Sequence, residues 1–134
     1  MTTVTTTMTR SNARRVRMNP GTPWWDASER LREVLEQTIG LTHLRVDRHF
    51  HSLTATYEAI RDEGAPADTP RASASIPIRL AGQVIGDVLV QDRRRTEYDE
   101  RARTNAAQIV DAFAARFEDP SAIVRANTDQ RGEG

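Results

Sequence analysis

The pattern that most restricts the fold of this chain is a predicted β-hairpin in its second half. Ile76, Ile78 and Leu80 alternate with residues of other types, Ala81-Gly82 make a two-residue turn, and residues 84–90 return as an apolar segment. Alternation with a period of two is typical of a strand with one buried face, and a short turn with glycine is typical of a hairpin. The chain is therefore expected to build a sheet around this antiparallel pair.

Two further strands are predicted upstream of the hairpin. Leu44, Val46 and Phe50 lie on one face of a predicted strand whose other face is polar. Residues 52–61 fit either a helix or a strand, and their threonines and tyrosine favour the strand. Because Pro77 has no N–H to donate to a ladder, its strand is expected at an edge of the sheet or with that position directed outward.

Two helices are predicted, one before and one after these strands. Asp26 stands three residues before Glu29, the spacing of a capping box, which predicts a helix over residues 27–39. Thr96 stands three residues before Asp99 at the start of the second helix. The apolar face of this last helix consists of Ala102, Ala106, Ile109, Val110, Phe113 and Phe117.

Composition divides the chain into a folded unit and two tails. Residues 1–23 are rich in threonine and have too few large apolar side chains to offset the entropy of ordering, which predicts a disordered basic tail. Residues 120–134 mix charged and small polar residues and are predicted to be a flexible C-terminal tail. The folded unit is then residues 24–119, an α+β domain whose N- and C-terminal helices flank an antiparallel sheet.

The formal charge of zero is the sum of two unlike parts. Residues 1–25 hold four arginines and no acid, giving +4, and the rest of the chain carries −4. The opposite signs allow the tail to bind its own domain or a partner subunit. Because Arg10, Arg14, Arg15 and Arg17 lack interleaved aromatic residues, nucleic acid is not the expected partner.

Missing residue types exclude several classes of protein. All 19 basic residues are arginines, so the chain has no P-loop lysine and no lysine that could form a Schiff base. It has no cysteine, which excludes thiol catalysis, disulfides, thiolate zinc sites and iron–sulfur clusters. The longest apolar run, residues 112–115, is far shorter than the roughly 20 residues that span a bilayer. We expect a cytoplasmic protein without a cofactor and without membrane contact.

Residues 74–117 resemble the C-terminal half of a GAF domain. In that family a strand with a proline step, here Ile76-Pro77-Ile78, precedes a short turn with glycine, here Ala81-Gly82. A strand like residues 84–90, a loop, an acidic helix start and an alanine-rich helix follow in the same order. Gly86 is expected to let a helix lie close to the sheet. The resemblance implies a sensory or regulatory module, which is often dimeric through its first and last helices.

The sequence departs from that family between residues 51 and 73. Full-length members have additional helices and loops there, which wall a ligand pocket. The chain also lacks the asparagine-lysine-phenylalanine-aspartate-glutamate motif of the cyclic-nucleotide-binding members. Without cysteine it cannot attach a bilin or perform the chemistry of the methionine sulfoxide reductase members. The resemblance therefore implies a reduced ligand pocket.

Asp87 is the candidate ligand-binding residue. It shares the parity of Ile85 and Leu89 and occupies a position that is usually apolar in the family pattern. If that face borders a pocket, Asp87 binds a polar group of a small molecule. If the face is open, Asp87 is an ordinary solvated carboxylate, which is the favoured interpretation.

Trp24, Trp25, Ile109, Phe113 and Phe117 form the candidate dimer interface. The two tryptophans lie where the tail meets the first helix, and the three other residues lie on the apolar face of the last helix. One tryptophan is expected to cap the core, and the other to be exposed and anchor a partner, since tryptophan is enriched at interface hot spots. The expected partner is a second copy of the chain or another signalling protein.

His49 and His51 are candidate metal ligands, because residues two apart on a strand project from one face. Asp47 shares their parity. The alternative is a solvated polar face, and it is favoured because Arg45 on the same face repels a cation. No metal site is predicted.

Residues 93–95 are three successive arginines before the last helix. Clustered guanidinium groups can bind a phosphate or an acidic partner. The acids Glu97, Asp99 and Glu100 can neutralise the cluster, which favours a solvated loop.

The sequence contains no catalytic motif at a diagnostic spacing. Paired carboxylates, a serine elbow and a glycine-rich phosphate loop are all absent from it. The leading hypothesis is a non-catalytic GAF-like sensory, regulatory or dimerisation module in bacterial signal transduction. The alternative is an accessory or effector-binding component of a transcriptional regulator that uses the basic tail on nucleic acid. The third hypothesis is a metal-dependent enzyme whose metal ligands are His49 and His51.

Overall fold

The computed structural model describes residues 14–61 and 71–118. The elements in chain order are β1 (Arg14–Arg17), α1 (Pro23–Thr38), β2 (His43–His49), β3 (Leu53–Ile60), β4 (Ala72–Leu80), β5 (Gln83–Asp92), α2 (Glu100–Phe113) and a 3₁₀ helix (Ala114–Phe117). The predicted α+β class is confirmed for this part of the chain.

The strands that the structure describes form one sheet in the order β1-β3-β2-β5-β4. β1 runs parallel to β3, and the other neighbours are antiparallel. The prediction of a purely antiparallel sheet is therefore wrong at one pair. β4 lies at an edge, which confirms the position expected from Pro77.

β1 lies inside the segment that was predicted to be disordered. Its sequence RRVR has a single apolar residue, so neither hydrophobic periodicity nor strand propensity marks it. Its pairing with Leu53–Thr56 supplies main-chain hydrogen bonds, and Arg15 adds a bond from its guanidinium to the carboxylate of Asp47 (2.8 Å). The strand thus depends on contacts with the acidic body of the chain. Residues 1–13 of the predicted N-terminal tail and the whole predicted C-terminal tail, residues 120–134, lie outside the described residues.

β3 and the hairpin follow the sequence prediction. β3 occupies the ambiguous segment 52–61 as a strand. β4 and β5 pair as a hairpin around Ala81 and Gly82, whose φ angles are 52° and 79°. Two positive φ angles are typical of a type I′ turn, whose twist matches that of the paired strands.

The first helix begins earlier than predicted. The hydroxyl of Thr22 accepts a hydrogen bond from the N–H of Trp25 (3.3 Å), and Pro23 occupies the start of α1. Threonine before a proline is a favourable N-terminus, since proline lacks an N–H that would need a partner. The capping box predicted from Asp26 and Glu29 is therefore wrong.

The last helix begins at Glu100 after Asp99. The Asp99 carboxylate accepts from the N–H of Ala102 (2.8 Å), so Asp99 rather than Thr96 is the N-cap. α2 ends at Phe113, and the 3₁₀ helix extends the apolar face to Phe117.

Both helices pack on one face of the sheet and enclose the core. The fully buried side chains there include Leu31, Leu35, Leu44, Val46, Ile78, Val88, Val90, Val110 and Phe117. Arg48 is the one charged residue of β2 on this face. Its Nε donates to the carbonyl oxygen of Phe117 (2.6 Å) and its guanidinium lies 4.5 Å from the centre of the Phe50 ring. Arg48 therefore joins the sheet to the end of the 3₁₀ helix.

Gly86 permits a close approach, but to a different element from the one expected. A Cβ atom at this position would lie 2.1 Å from the carbonyl oxygen of Asp47 on the neighbouring strand β2. The expectation that Gly86 admits a helix is wrong, because the crowding comes from the main chain of the sheet itself.

Candidate functional site

The candidate site is the sheet face opposite the helices, which we call the uncovered face. Within residues 14–61 and 71–118, the helices lie on the other side. At its centre Asp47 of β2 is the direct cross-strand neighbour of Asp87 of β5. Like charges in this position repel each other, so each carboxylate needs a partner of its own.

Asp47 is held by groups on both sides of it. Its Oδ1 accepts from the Arg15 guanidinium (2.8 Å) and the Thr56 hydroxyl (2.7 Å), and its Oδ2 lies 3.4 Å from Nε of Arg45. The side chain is 5% exposed. Asp47 is thus a buried, satisfied anion that attaches β1 to the sheet.

Asp87 is bound by a histidine and remains open to solvent. Its Oδ2 lies 2.8 Å from Nε2 of His49, whose Nδ1 lies 3.1 Å from the Thr54 hydroxyl. The exposed fractions of the side chains are 45% for Asp87 and 38% for His49. The Thr54 hydroxyl therefore orients the imidazole of His49 at Nδ1, and its Nε2 contacts the solvent-exposed Asp87 carboxylate.

A second histidine, His43 at the start of β2, has a similar arrangement. His43 Nδ1 lies 2.7 Å from Oε1 of Gln91, and its Nε2 lies 3.3 Å from Oε2 of Glu58. Polar side chains of three adjacent strands are thus linked across the uncovered face. No sequence signal pointed to these pairs, because each joins residues at least 15 positions apart.

The structure places the predicted ligand-binding residues together. Ile85, Asp87 and Leu89 are half-buried on the uncovered face of β5. Because they are two residues apart along the strand, the sequence already predicted that they share one face. Their role in binding stays a prediction.

The two histidines proposed as metal ligands do not share a face. β2 ends at His49, and His51 lies in an exposed bend after it. In the described segments the structure shows no cluster of three or more histidine and acidic side chains suited to a metal ion.

The residues of the predicted dimer interface differ in how far their own chain buries them. Phe117 is 0% exposed and lies in the core of its own chain, so it cannot contact a partner. Trp24 is half-buried, packs 5.0 Å from Phe50 and donates its indole N–H to the carbonyl oxygen of Glu118 (3.1 Å). Ile109 and Phe113 are also half-buried.

Two of the three arginines before α2 are bound by an acid other than those predicted. Asp92 is fully buried at the end of β5 and binds Arg94 twice (2.9 and 3.0 Å) and Arg95 once (3.2 Å). Burial opposes ionisation of Asp92, but the hydrogen bonds and charge of Arg94, with the charge of Arg95, outweigh it and lower the pKa of the carboxyl. The prediction that Glu97, Asp99 and Glu100 neutralise the cluster is therefore replaced by Asp92 for Arg94 and Arg95.

Two open clefts of about 600 Å³ and about 460 Å³ border β1. The larger one, which we call the α1–β3 groove, is lined by Met18, by Trp25, Glu29 and Arg32 of α1, and by the second half of β3. The smaller lies between β1, Trp24 and Phe50. Neither is lined by Asp87, so the predicted pocket residues lie elsewhere.

A hydrogen-bonded triad forms one wall of the α1–β3 groove. The Tyr57 hydroxyl donates to the Glu29 carboxylate, and Nε of Arg32 donates to the Tyr57 oxygen (3.2 Å). Burial, followed by the hydrogen bond to Glu29, raises the pKa of Tyr57 to about 12. No local pattern predicts this triad, since Tyr57 and Glu29 are 28 residues apart.

Comparison with protein-family models and with curated protein sequences gives no match to this chain. Among the helices of the described residues, none combines the length and apolar character that crossing a membrane requires.

Proposed function

We propose that this chain is a non-catalytic, cytoplasmic sensory or regulatory module of bacterial signal transduction that binds a small polar ligand on the uncovered face. The resemblance of residues 74–117 to a GAF domain supports the regulatory role. The layered architecture agrees with it, since the first and last helices pack on one face of the sheet and leave the other to polar side chains.

The observation that carries the proposal is the pair formed by His49 and Asp87. Both side chains are more than a third exposed, yet each is held in place by a hydrogen bond within the pair. Ile85 and Leu89 flank Asp87 along the same face of β5. A carboxylate between two apolar side chains offers a ligand one charged contact and apolar contacts on either side, the usual composition of a small-molecule site.

A ligand screen with one matched pair of variants tests this proposal. Small metabolites that contain an amine or amide are screened against the ¹⁵N-labelled full chain, and hits are identified by shifts of β2 and β5 amide signals. Asp87→Asn keeps the shape and removes the charge, so we expect it to weaken binding by about tenfold or more. Asp111→Asn changes an exposed carboxylate of α2 on the other side of the molecule and should leave binding unchanged. Equal affinity of both variants would exclude Asp87 as the site.

The proposal includes a partner for the helix layer, either a second copy or another signalling protein. α1 and α2 pack side by side, and Ile109 and Phe113 of α2 keep part of their surface open. These residues, with the two tryptophans, are the part of the predicted interface that a partner can reach. The nucleic-acid alternative loses support, because Arg15 of the basic segment is bound to Asp47.

A further inference from the structure

Among residues 14–61 and 71–118, a neighbouring strand covers one edge of β3 along only half of its length. β1 pairs with β3 as far as Thr56, and Met18 then donates its N–H to the carbonyl oxygen of Thr56 (2.8 Å). After Met18 the chain turns away towards α1. The segment Glu58–Ile60 continues β3 with β2 on one side and the α1–β3 groove on the other.

Hydrogen bonds along β3 show which main-chain groups face this groove. The N–H of Arg61 donates to Thr42 on the β2 side (2.8 Å), whereas the carbonyl of Thr56 is directed to the β1 side. Main-chain groups alternate in direction from one residue of a strand to the next. The N–H and C=O groups of Glu58 and Ile60 are therefore directed into the groove.

The opposite wall of the groove is α1. Trp25 packs edge-on against Tyr57 with ring centres 6.0 Å apart, and Met18 adds apolar surface beside them. Ile60 is 50% exposed at the open end. A groove between a strand edge and a helix is a geometry in which an extended peptide adds to a sheet, with main-chain bonds for affinity and side-chain contacts for specificity.

Charge at the groove favours an acidic guest. Arg17 is exposed at one end of the groove. Arg61 lies at the other end, where its guanidinium is 3.0 Å from the Glu36 carboxylate and its side chain is 61% exposed. Glu29 in the wall is already bound by Tyr57 and Arg32. Of the described residues that line the groove, three are arginines and two are glutamates, Glu29 and Glu58. The lining therefore carries a small excess of positive charge, and Trp25 and Met18 contribute apolar surface between the charged groups.

We propose that the α1–β3 groove binds an extended peptide of a partner protein, with an apolar residue flanked by acidic residues, as an added strand along Glu58–Ile60. The main-chain groups of this site lie at the edge of the sheet, although the side chain of Glu58 belongs to the uncovered face. Peptide binding at this edge does not depend on the ligand proposed for His49 and Asp87. A free strand edge of this kind otherwise tends to pair with other chains indiscriminately.

Hydrogen exchange of the full chain provides the first test. The amides of Glu58 and Ile60 are expected to exchange about a hundredfold faster than those of Tyr57 and Ala59, which are directed to β2. The two kinds of amide alternate along one strand and therefore serve as controls for each other. Equal protection in the free protein would show that the chain covers its own edge and would overturn the proposal.

Peptide binding provides the second test. The probes are short fluorescein-labelled peptides with a central phenylalanine, leucine or valine, flanked by glutamates in one set and by lysines in the other. We expect the glutamate set to raise fluorescence anisotropy and to slow exchange at Glu58 and Ile60, and Arg17→Gln to reduce the preference for it. Binding of neither set, or no preference for glutamate, contradicts the proposal.

A pair of variants at one position separates main-chain from side-chain binding. Ile60→Pro removes the N–H directed into the groove, and proline is tolerated where a strand faces outward at an edge. It should weaken peptide binding by about fivefold to tenfold relative to Ile60→Ala, which keeps the N–H. Circular dichroism must show both variants folded. Equal affinity of the two would mean that the peptide does not add as a strand.

Discussion

Asp47 and Asp87 face each other across β2 and β5, and their surroundings explain how the fold retains both. The buried carboxylate, Asp47, has the closest cation, Arg15, and the hydroxyl of Thr56. The exposed carboxylate, Asp87, has His49 and water-accessible surface. The cost of a like-charged neighbour is thus offset locally at each residue, and the exposed member keeps the capacity to bind another group.

The two tyrosines lead to a prediction at the residue scale. Burial raises the pKa of Tyr57 and of Tyr98 to about 12 from 10.0, with added effects of Glu29 and Asp92. The folded chain therefore holds these protons more tightly than the unfolded chain. Stability is expected to be constant with respect to these groups below about pH 10 and to fall between about pH 10 and pH 12.

Absorbance of tyrosinate measures this directly, because the chain has only these two tyrosines. The midpoint should lie near pH 12 in the native protein and near pH 10 in concentrated guanidinium chloride. Tyr98→Phe should halve the signal and keep the shift of Tyr57. A native midpoint near pH 10 with the fold intact would show that the phenols are not buried as described.

At the scale of elements, the β4–β5 hairpin contains a residue that is unfavourable for its conformation. Ala81 has a φ of 52° in an exposed turn, a region that alanine adopts at a cost and that asparagine adopts readily. Ala81→Asn is therefore expected to stabilise the chain by about 0.5–1 kcal/mol. Urea denaturation measures the change. Ala81→Val, which is branched at Cβ, should destabilise it, and the opposite order of the two variants would contradict the turn type.

Most elements were predictable and β1 was not, for a physical reason. The hairpin and the last helix carry an apolar period of their own, which reports burial on one face. The period of β3 is ambiguous, and the strand propensity of its threonines and tyrosine indicated the correct element. β1 carries one valine among three arginines. It is ordered by the edge of β3 and by the Asp47 carboxylate, which other parts of the chain provide. The start of α1 was missed because Thr22 supplies the cap before any apolar period begins.

At the scale of the whole molecule, the two-layer arrangement separates core from interface. Phe117 is enclosed beneath the helices, whereas Phe113 lies at the rim with the Arg116 guanidinium 4.8 Å from the centre of its ring. A residue of the apolar helix face can therefore belong to either region, and sequence spacing does not distinguish them.

Two glutamate substitutions test this distinction. Phe117→Glu buries a charge without a partner and is expected to cost about 4 kcal/mol or more, with loss of the cooperative thermal transition. Phe113→Glu should keep the fold and, if the helix layer holds a second copy, convert a dimer to a monomer. Circular dichroism and light scattering report the two results separately. A folded Phe117→Glu variant would contradict the core, and a wild-type monomer would contradict the dimer.

The sequence by itself determined the α+β class, the hairpin and the shared face of Ile85, Asp87 and Leu89, because the period of side chains along a strand is a local property. For β4, Pro77 indicated either an edge or an outward position, and the structure has the strand at an edge. Only the tertiary structure decided that Asp87 meets His49 and Asp47, that β1 joins in parallel, and that β1 covers just the first half of one edge of β3 in the part of the chain that the structure describes. Strand order and register bring together residues far apart in the chain. They depend on which main-chain edges and charges meet once the core has closed, and no local pattern records that.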